Sequence, residues 1–286
     1  MSRGLIVYFS QGGTTARVAE SIAAGLRAAE WQVTLCNMKD KQPPSLDGYD
    51  LLGIGAPAYY YRAPFKVMDY LNSLPPLNGL PALVFVLYGT YIGDTGNAIR
   101  QVLSRKGAQE VGYFHCYGAD FFLPYLKEGY LFSPDRPTAE ELAKAERFGR
   151  EAANRVTSQE YARAKDDPPP AAIYRLERFL TNRWLSKQVY SRLFRVDAKK
   201  CTSCGLCIKL CPTGNIVEGK QGRLTFGRKC LLCLNCEMLC PEGAITSPES
   251  WPLFRPFMIY NVRHASRDHS LAHVRVKHSK GSPQRV

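Results

Sequence analysis

The sequence predicts a doubly wound α/β domain with a five-stranded parallel sheet, followed by a much smaller α+β domain built around cysteine. Over the first 160 residues, short apolar runs alternate with stretches whose apolar residues recur at helical spacing, the pattern of successive strand–helix units. Between positions 201 and 240, eight of the ten cysteines stand in one pattern written twice. Between these regions, Ala164-Lys-Asp-Asp-Pro-Pro-Pro170 reads as a domain boundary, with prolines that favour a stiff spacer.

Residues 5–9, Leu-Ile-Val-Tyr-Phe, form the first strand, wholly apolar as a buried parallel strand should be. Ser10-Gln-Gly-Gly-Thr-Thr15 follows, then a helix over 16–29 with Val18, Ile22 and Leu26 on one face. A strand, a glycine- and threonine-rich turn and a helix start together make an anion site. Backbone N–H groups point out of the turn, and the hydroxyls of Ser10, Thr14 and Thr15 add donors. The loop holds no lysine, which excludes a nucleotide-triphosphate P-loop; the plainer alternative is a capped helix start.

Residues 32–36 read as the second strand, and 50–55 as the third, running into Ala56-Pro57-Ala58-Tyr59-Tyr60-Tyr61. A helix over 64–74 has proline in its first turn. The fourth strand, 82–88, is entirely apolar; a loop over 89–96 and a helix over about 97–106 follow. Residues 110–117 make the fifth strand, and 138–158 the last helix, with Glu140 and Glu141 in its first turn.

In such a sheet a ligand sits at the carboxyl ends of the strands, around the switch point of the strand order. Here that gathers the loops after the first, third and fourth strands. An anion site beside two tyrosine-bearing loops suits a phosphorylated planar ring, on which tyrosines stack. Ordinary packing is the competing reading for Tyr60 and Tyr61. Cys36 and Cys116 read as buried and inert, and His115 as a core or loop histidine.

On these residues the first 160 positions resemble a flavodoxin domain, a family that binds FMN. Ser10, Gly13 and Thr15 match the family's phosphate loop, in which a threonine stands where this chain has Gly12. The resemblance implies FMN contacts from Ser10, Gln11, Gly13, Thr14 and Thr15. It implies a flavin flanked by Pro57, Ala58 and Tyr59 on one side and by Tyr88, Gly89, Thr90, Tyr91 and Gly93 on the other.

The cysteine pattern runs Cys201-x2-Cys204-x2-Cys207-x3-Cys211-Pro, then Cys230-x2-Cys233-x2-Cys236-x3-Cys240-Pro, each position offset by 29 residues. Three thiolates two residues apart on a tight loop grip three iron corners of one cube. Structural zinc takes separated ligand pairs, and a disulfide framework needs an oxidising compartment for which no signal peptide argues. This stretch resembles the bacterial-type two-cluster ferredoxins, in which the proline-following cysteine ligates the other cluster. Cys201, Cys204, Cys207 and Cys240 are then expected to hold one [4Fe–4S] cluster, and Cys230, Cys233, Cys236 and Cys211 the other. So short a segment has little core, and metal bonds supply much of its folding energy.

The order of the two parts resembles a family of flavodoxin–ferredoxin fusion proteins over about residues 3–248. The expected organisation is a flavodoxin-like domain at 1–160, a linker and helix at 161–195, a two-cluster domain at 196–248 and an extension at 249–286. In the linker region, Ile173, Leu176, Phe179, Leu180, Trp184, Leu185, Tyr190 and Phe194 recur at helical spacing among basic residues. This predicts one basic amphipathic helix over 171–195, lying on a membrane, binding a partner or, as the preferred reading, docking its apolar face onto the domains. From about 263 the chain is basic and carries His264, His269, His273 and His278; a disordered tail is expected, with weak chelation by His269 and His273 the lesser reading.

Residues 1–165 carry 18 Lys and Arg against 16 Asp and Glu, and residues 166–286 carry 20 against 9. The basic half suits an acidic redox partner or an anionic surface, and it also offsets cluster charge. No run of 18 apolar residues exists, so no spanning helix is predicted, and oxygen-sensitive clusters suit a reducing cytoplasm. The fusion implies an electron-transfer protein with FMN and two [4Fe–4S] clusters. Two alternatives stand beside it. One is a flavin-dependent reductase with Tyr59, Tyr91 or His115 as proton donor. The other is a cluster-structured binding module using its basic helix and tail.

Overall fold

The computed structural model describes residues 1–169 and 171–277, with the side chains of residues 172, 173 and 221 outside that description. Two compact units result: Met1–Gly118 with Asp135–Arg178, and Ala119–Pro134 with the chain from Phe179 onward.

The first unit is the expected parallel sheet. Its strands are β1 (Arg3–Tyr8), β2 (Gln32–Asn37), β3 (Leu51–Pro57), β4 (Pro81–Tyr88) and β5 (Gln109–Tyr117), in the order β2-β1-β3-β4-β5. Between them run α1 (Thr14–Ala28), α2 (Phe65–Ser73) and α3 (Thr95–Arg105). The sheet interior explains the apolar runs: β3 and β4 are buried at six consecutive positions each, whereas edge strand β2 alternates. After β5 the chain enters the second unit as α4 (Leu123–Lys127) and β6 (Tyr130–Phe132), then returns as α5 (Ala139–Ser158). Thr138 and Glu141 form a reciprocal capping box that starts α5. The apolar faces of α1 and α5 close over one side of the sheet, with Val18, Ile22, Leu26 and Phe148 against Ile6, Phe85 and Val111.

The expected spacer is tied down along its first half. Arg100 is fully buried, and its guanidinium pairs with Glu110 at 3.0 Å and Asp166 at 3.1 Å and donates to the carbonyl of Ala164. Asp167 accepts from the Tyr113 hydroxyl at 2.5 Å, and its N–H donates to Asn97 at 2.9 Å. A buried guanidinium needs its charge and its donors met, and this segment of chain meets them.

The single helix expected over 171–195 is instead two, α6 (Ala172–Leu180) and α7 (Arg183–Gln188), followed by a 3₁₀ turn. Asn182 breaks the run: its side chain accepts the N–H of Leu185 at 3.0 Å and caps α7. The preferred docking of the apolar face is corrected as well, because Leu176, Phe179 and Leu180 are exposed while Tyr174 and Glu177 are buried.

In the second unit, β7 (Arg195–Val196) is followed by α8 (Leu206–Leu210), the hairpin of β8 (Ile216–Glu218) and β9 (Leu224–Phe226), α9 (Asn235–Met238) and β10 (Ile245–Thr246), which pairs back on β7. The internal repeat survives in three dimensions. Ile216 and Ile245, 29 positions apart, are both buried, at 2% and 3% exposure. Beyond them the expectation of a disordered tail is corrected for residues 263–277. There α10 (Arg255–Ser266) continues, and β11 (His273–Arg275) pairs antiparallel with β6. Helix α10 ends before His269, so His269 and His273 do not form a helical pair. His278 lies outside the described residues.

Candidate cofactor sites

Three loops meet at the carboxyl ends of β1, β3 and β4, all within the first unit. In the first, Ser10 is buried, and its hydroxyl accepts the N–H of Ala16 at 3.2 Å. Gly13, with φ at 90° and nothing within 4 Å of where a side chain would start, ends the turn and leads into α1. The N-terminal amides of α1 therefore face the turn, where the helix dipole favours an anion. Thr15 is buried, and Thr14 and Gln11 are half-buried. Asn37, at the end of β2, braces the loop from outside by accepting the N–H of Ser10 and donating to its carbonyl, at 3.1 and 3.0 Å. Sequence reasoning missed Asn37, because its role depends on β2 lying beside β1.

In the second loop, Tyr59 and Arg62 exchange backbone hydrogen bonds across Tyr60 and Tyr61, both left-handed with φ of 50° and 60°. This is a tight turn of the kind that glycine and asparagine usually occupy. The Tyr59 hydroxyl donates to Gln11 Oε1 at 2.7 Å, joining the second loop to the first. Pro57 ends β3, and the Ala58 N–H donates to Leu87 at 2.8 Å. In the third loop, Gly93 lies so close to the second that an added Cβ would come within 2.2 Å of the Tyr61 carbonyl. The next N–H, of Asp94, donates to that same carbonyl at 3.2 Å. Thr90 is buried and Gly89 is half-buried.

The sequence did not foresee a helical wall. Tyr174 on α6 stacks on Tyr61 at 4.5 Å and lies against Tyr91 at 5.2 Å, touching the second and third loops together. Arg178, one turn on, pairs with Asp94 at 2.6 Å, and its carbonyl accepts from Arg62. Burial, followed by the charge of Arg178, pushes the Arg62 guanidinium down to about 10.

The three proton-donor candidates are not brought to one point. Tyr59 donates to Gln11, Tyr91 packs on Tyr174, and His115 is exposed on edge strand β5, tilted against Tyr113 and Tyr88. Tyr88 itself packs on Tyr117 at 4.7 Å, and burial raises its phenol. Cys36 and Cys116 are buried; burial raises both thiols, that of Cys116 to about 12. A separate cleft lies at the other ends of β4 and β5, lined by Ala82, Arg100, Glu110 and Tyr161.

The eight repeat cysteines of the second unit line two separate clefts. Cys201, Cys204, Cys207 and Cys240 line one; Cys230, Cys233, Cys236 and Cys211 line the other. Each cleft thus joins a run of three to the fourth cysteine of the opposite run. The fold also turns backbone N–H groups onto sulfur at matched places. Asn215 donates to Cys211 Sγ at 3.2 Å, and Ala244, 29 positions later, donates to Cys240 Sγ at 3.3 Å. The N–H of Leu232 adds a bond to Cys230 Sγ at 3.3 Å. The clefts differ in burial. Leu231, Leu234, Phe194 and Phe226 wall the Cys230 cleft, whereas Thr202, Ser203 and Cys204 of the other are exposed. Burial, with the neighbouring thiols, pushes the Cys230 and Cys236 thiols up. Among the described residues no three potential ligands converge on a single-ion position.

Comparison with known proteins finds two separate matches along the chain. Residues 5–127 match the flavodoxin domain family, and residues 200–245 match the 4Fe-4S dicluster domain family. Flavodoxin 2 of Escherichia coli strain K12 is 32% identical over 110 residues, which are 35% of this chain and 64% of that protein. Flavodoxin 2 of Salmonella typhi is 30% identical over the same length. The chain thus spans somewhat under two thirds of these relatives. Among solved structures, an archaeal flavodoxin superposes with a TM-score of 0.42 at 19% identity, covering 54% of this chain and 99% of that one. Two-electron reduced flavodoxin of Megasphaera elsdenii superposes with a TM-score of 0.42 at 22% identity, covering 53% and 98%.

Proposed function

We propose that this chain, which joins a flavodoxin domain to a 4Fe-4S dicluster domain, passes electrons between FMN, two [4Fe–4S] clusters and an external redox partner. The observation that carries the reading is the crossed lining of the two cysteine clefts, which suits two four-iron clusters. When bound, FMN exchanges one or two electrons and each cluster exchanges one, which lets a two-electron process meet single-electron carriers.

The residues fit these groups. Cys201, Cys204, Cys207 and Cys240 would hold one cluster, and Cys230, Cys233, Cys236 and Cys211 the other. The N–H groups of Asn215, Ala244 and Leu232 would donate to thiolate sulfur, at Cys230 against the burial that raises its thiol. Ser10, Gln11, Gly13, Thr14 and Thr15 would receive the phosphate of FMN. Pro57, Ala58 and Tyr59, with Tyr88, Gly89, Thr90, Tyr91 and Gly93, would bound the flavin ring. Gly12 removes one hydroxyl donor and leaves the backbone amides in place.

Exposed Lys199, Lys200 and Lys209 stand close in sequence to the more open cluster cleft, so the partner we propose is acidic. No described helix is long and apolar enough to cross a membrane, and we place the protein in a reducing cytoplasm. The test is cofactor content after purification without oxygen, followed by a single-turnover mix. About eight iron and eight sulfide with one FMN per chain, and flavin reduction by the reduced clusters, are expected. Iron without flavin, or clusters that fail to reduce bound FMN, would overturn the reading.

A further inference from the structure

Helix α6 docks by an unexpected side. Tyr174, Glu177 and Arg178, at one-turn spacing, make its inward face; the first two are 4% and 6% exposed, and Arg178 is paired with Asp94. Leu176, Phe179 and Leu180 fall on the outward face, at 51%, 67% and 43% exposure. Trp184, in the first turn of α7, is 65% exposed. A surface helix of a folded protein ordinarily buries its apolar stripe and presents polar residues to water. Here the aromatic and charged side is used for docking, and the apolar stripe is left outside.

We propose that the outward face of α6 and the start of α7 seats this protein on an anionic membrane surface. The inference does not depend on the electron-transfer reading. Residues 171–195 contain six basic side chains and one acidic, Glu177, which is buried. Arg175 and Arg183 are exposed beside the apolar residues. Exposed Trp, Phe and Leu interleaved with Arg on short helices is the composition that lies in the headgroup boundary. At nine residues α6 is far too short to span, and no described helix is long and apolar enough to do so, so the helix would lie in the plane of the surface. A second copy of the chain fits less well, because two such faces would bring their arginines together. An acidic protein would answer the charge but leaves four large apolar side chains on successive turns without a reason.

The test uses the full-length protein carrying its cofactors, sedimented with vesicles of phosphatidylcholine alone or mixed with phosphatidylglycerol. Binding to the anionic vesicles at least about tenfold tighter than to the neutral ones, and weakening with salt, is expected. F179S/W184S should lower anionic-vesicle binding by about tenfold or more, with circular dichroism and cofactor content unchanged. R175Q/R183Q should erase most of the preference for anionic lipid. Three outcomes would overturn the proposal: no binding to either vesicle, equal binding by F179S/W184S, or a concentration-dependent dimer that this variant abolishes while vesicles bind nothing.

Discussion

Cys211 and Cys240 each stand at the end of one three-cysteine run and line the cleft of the other. Paired substitutions separate this crossed arrangement from a local one. C211S/C230S removes two ligands of a single cleft and should leave about four iron per chain, whereas C211S/C201S strikes both clefts and should leave almost none. Local ligation predicts the reverse, and iron analysis on anaerobically reconstituted protein decides. Cys116 answers to a different force. Burial raises its thiol from about 9 to about 12, so the native state keeps a proton that the unfolded chain loses. The stabilising contribution is whole below pH 9 and is lost as pH rises toward 12. Urea unfolding of the protein should therefore give lower stability at pH 10.5 than at pH 8, with a smaller fall in C116A; an equal fall in the variant would assign the loss to other groups.

At the scale of elements, α6 acts as a strap. Tyr174 is its contact with both loops on either side of the proposed flavin position, and the turn at Tyr60 and Tyr61 that it covers holds left-handed backbone costing roughly 1–3 kcal/mol per residue. Packing must hold such a turn in place, and the Tyr61–Tyr174 stack does part of that. Y174A should speed amide hydrogen exchange over residues 58–62 and 90–94 and weaken FMN binding by about tenfold, while leaving exchange in β1 and β4 unchanged. Faster exchange spread evenly over the sheet would indicate general destabilisation instead. The neighbouring Arg178–Asp94 pair is only partly buried, at 30% and 29% exposure, so it contributes about 1 kcal/mol or less and the ring stack is the better target.

For the whole molecule, the two units rest on different forces. The first has a sheet with α1 and α5 over an apolar core, while the second gathers its eight repeat cysteines around two clefts. Removing iron with a chelator should therefore unfold residues 196–248 and spare the sheet. Far-UV circular dichroism should fall only in part, and the remaining protein should keep one cooperative thermal transition. Loss of all structure on chelation would show that the sheet depends on the clusters. Arg100 extends the first unit beyond its last strand by binding residues 164–166, so the length of chain able to act as a spacer is shorter than its composition suggests.

The strands, the helices between them, the glycine-rich turn after β1 and the doubled cysteine pattern were legible in the sequence, because each is encoded in contiguous residues. An apolar run, a helical period and a C-x2-C-x2-C spacing state their geometry locally. The features that escaped were those whose partners lie far along the chain. Asn37 reaches Ser10 across 27 residues, and Arg100 reaches Asp166 across 66. Strand β6 is three residues long and becomes a strand through β11, near the far end of the chain. The helical period of α6 revealed an apolar face but not which face would dock. That was decided by the rings of Tyr61 and Tyr91 and the carboxylate of Asp94, which only the folded sheet brings together.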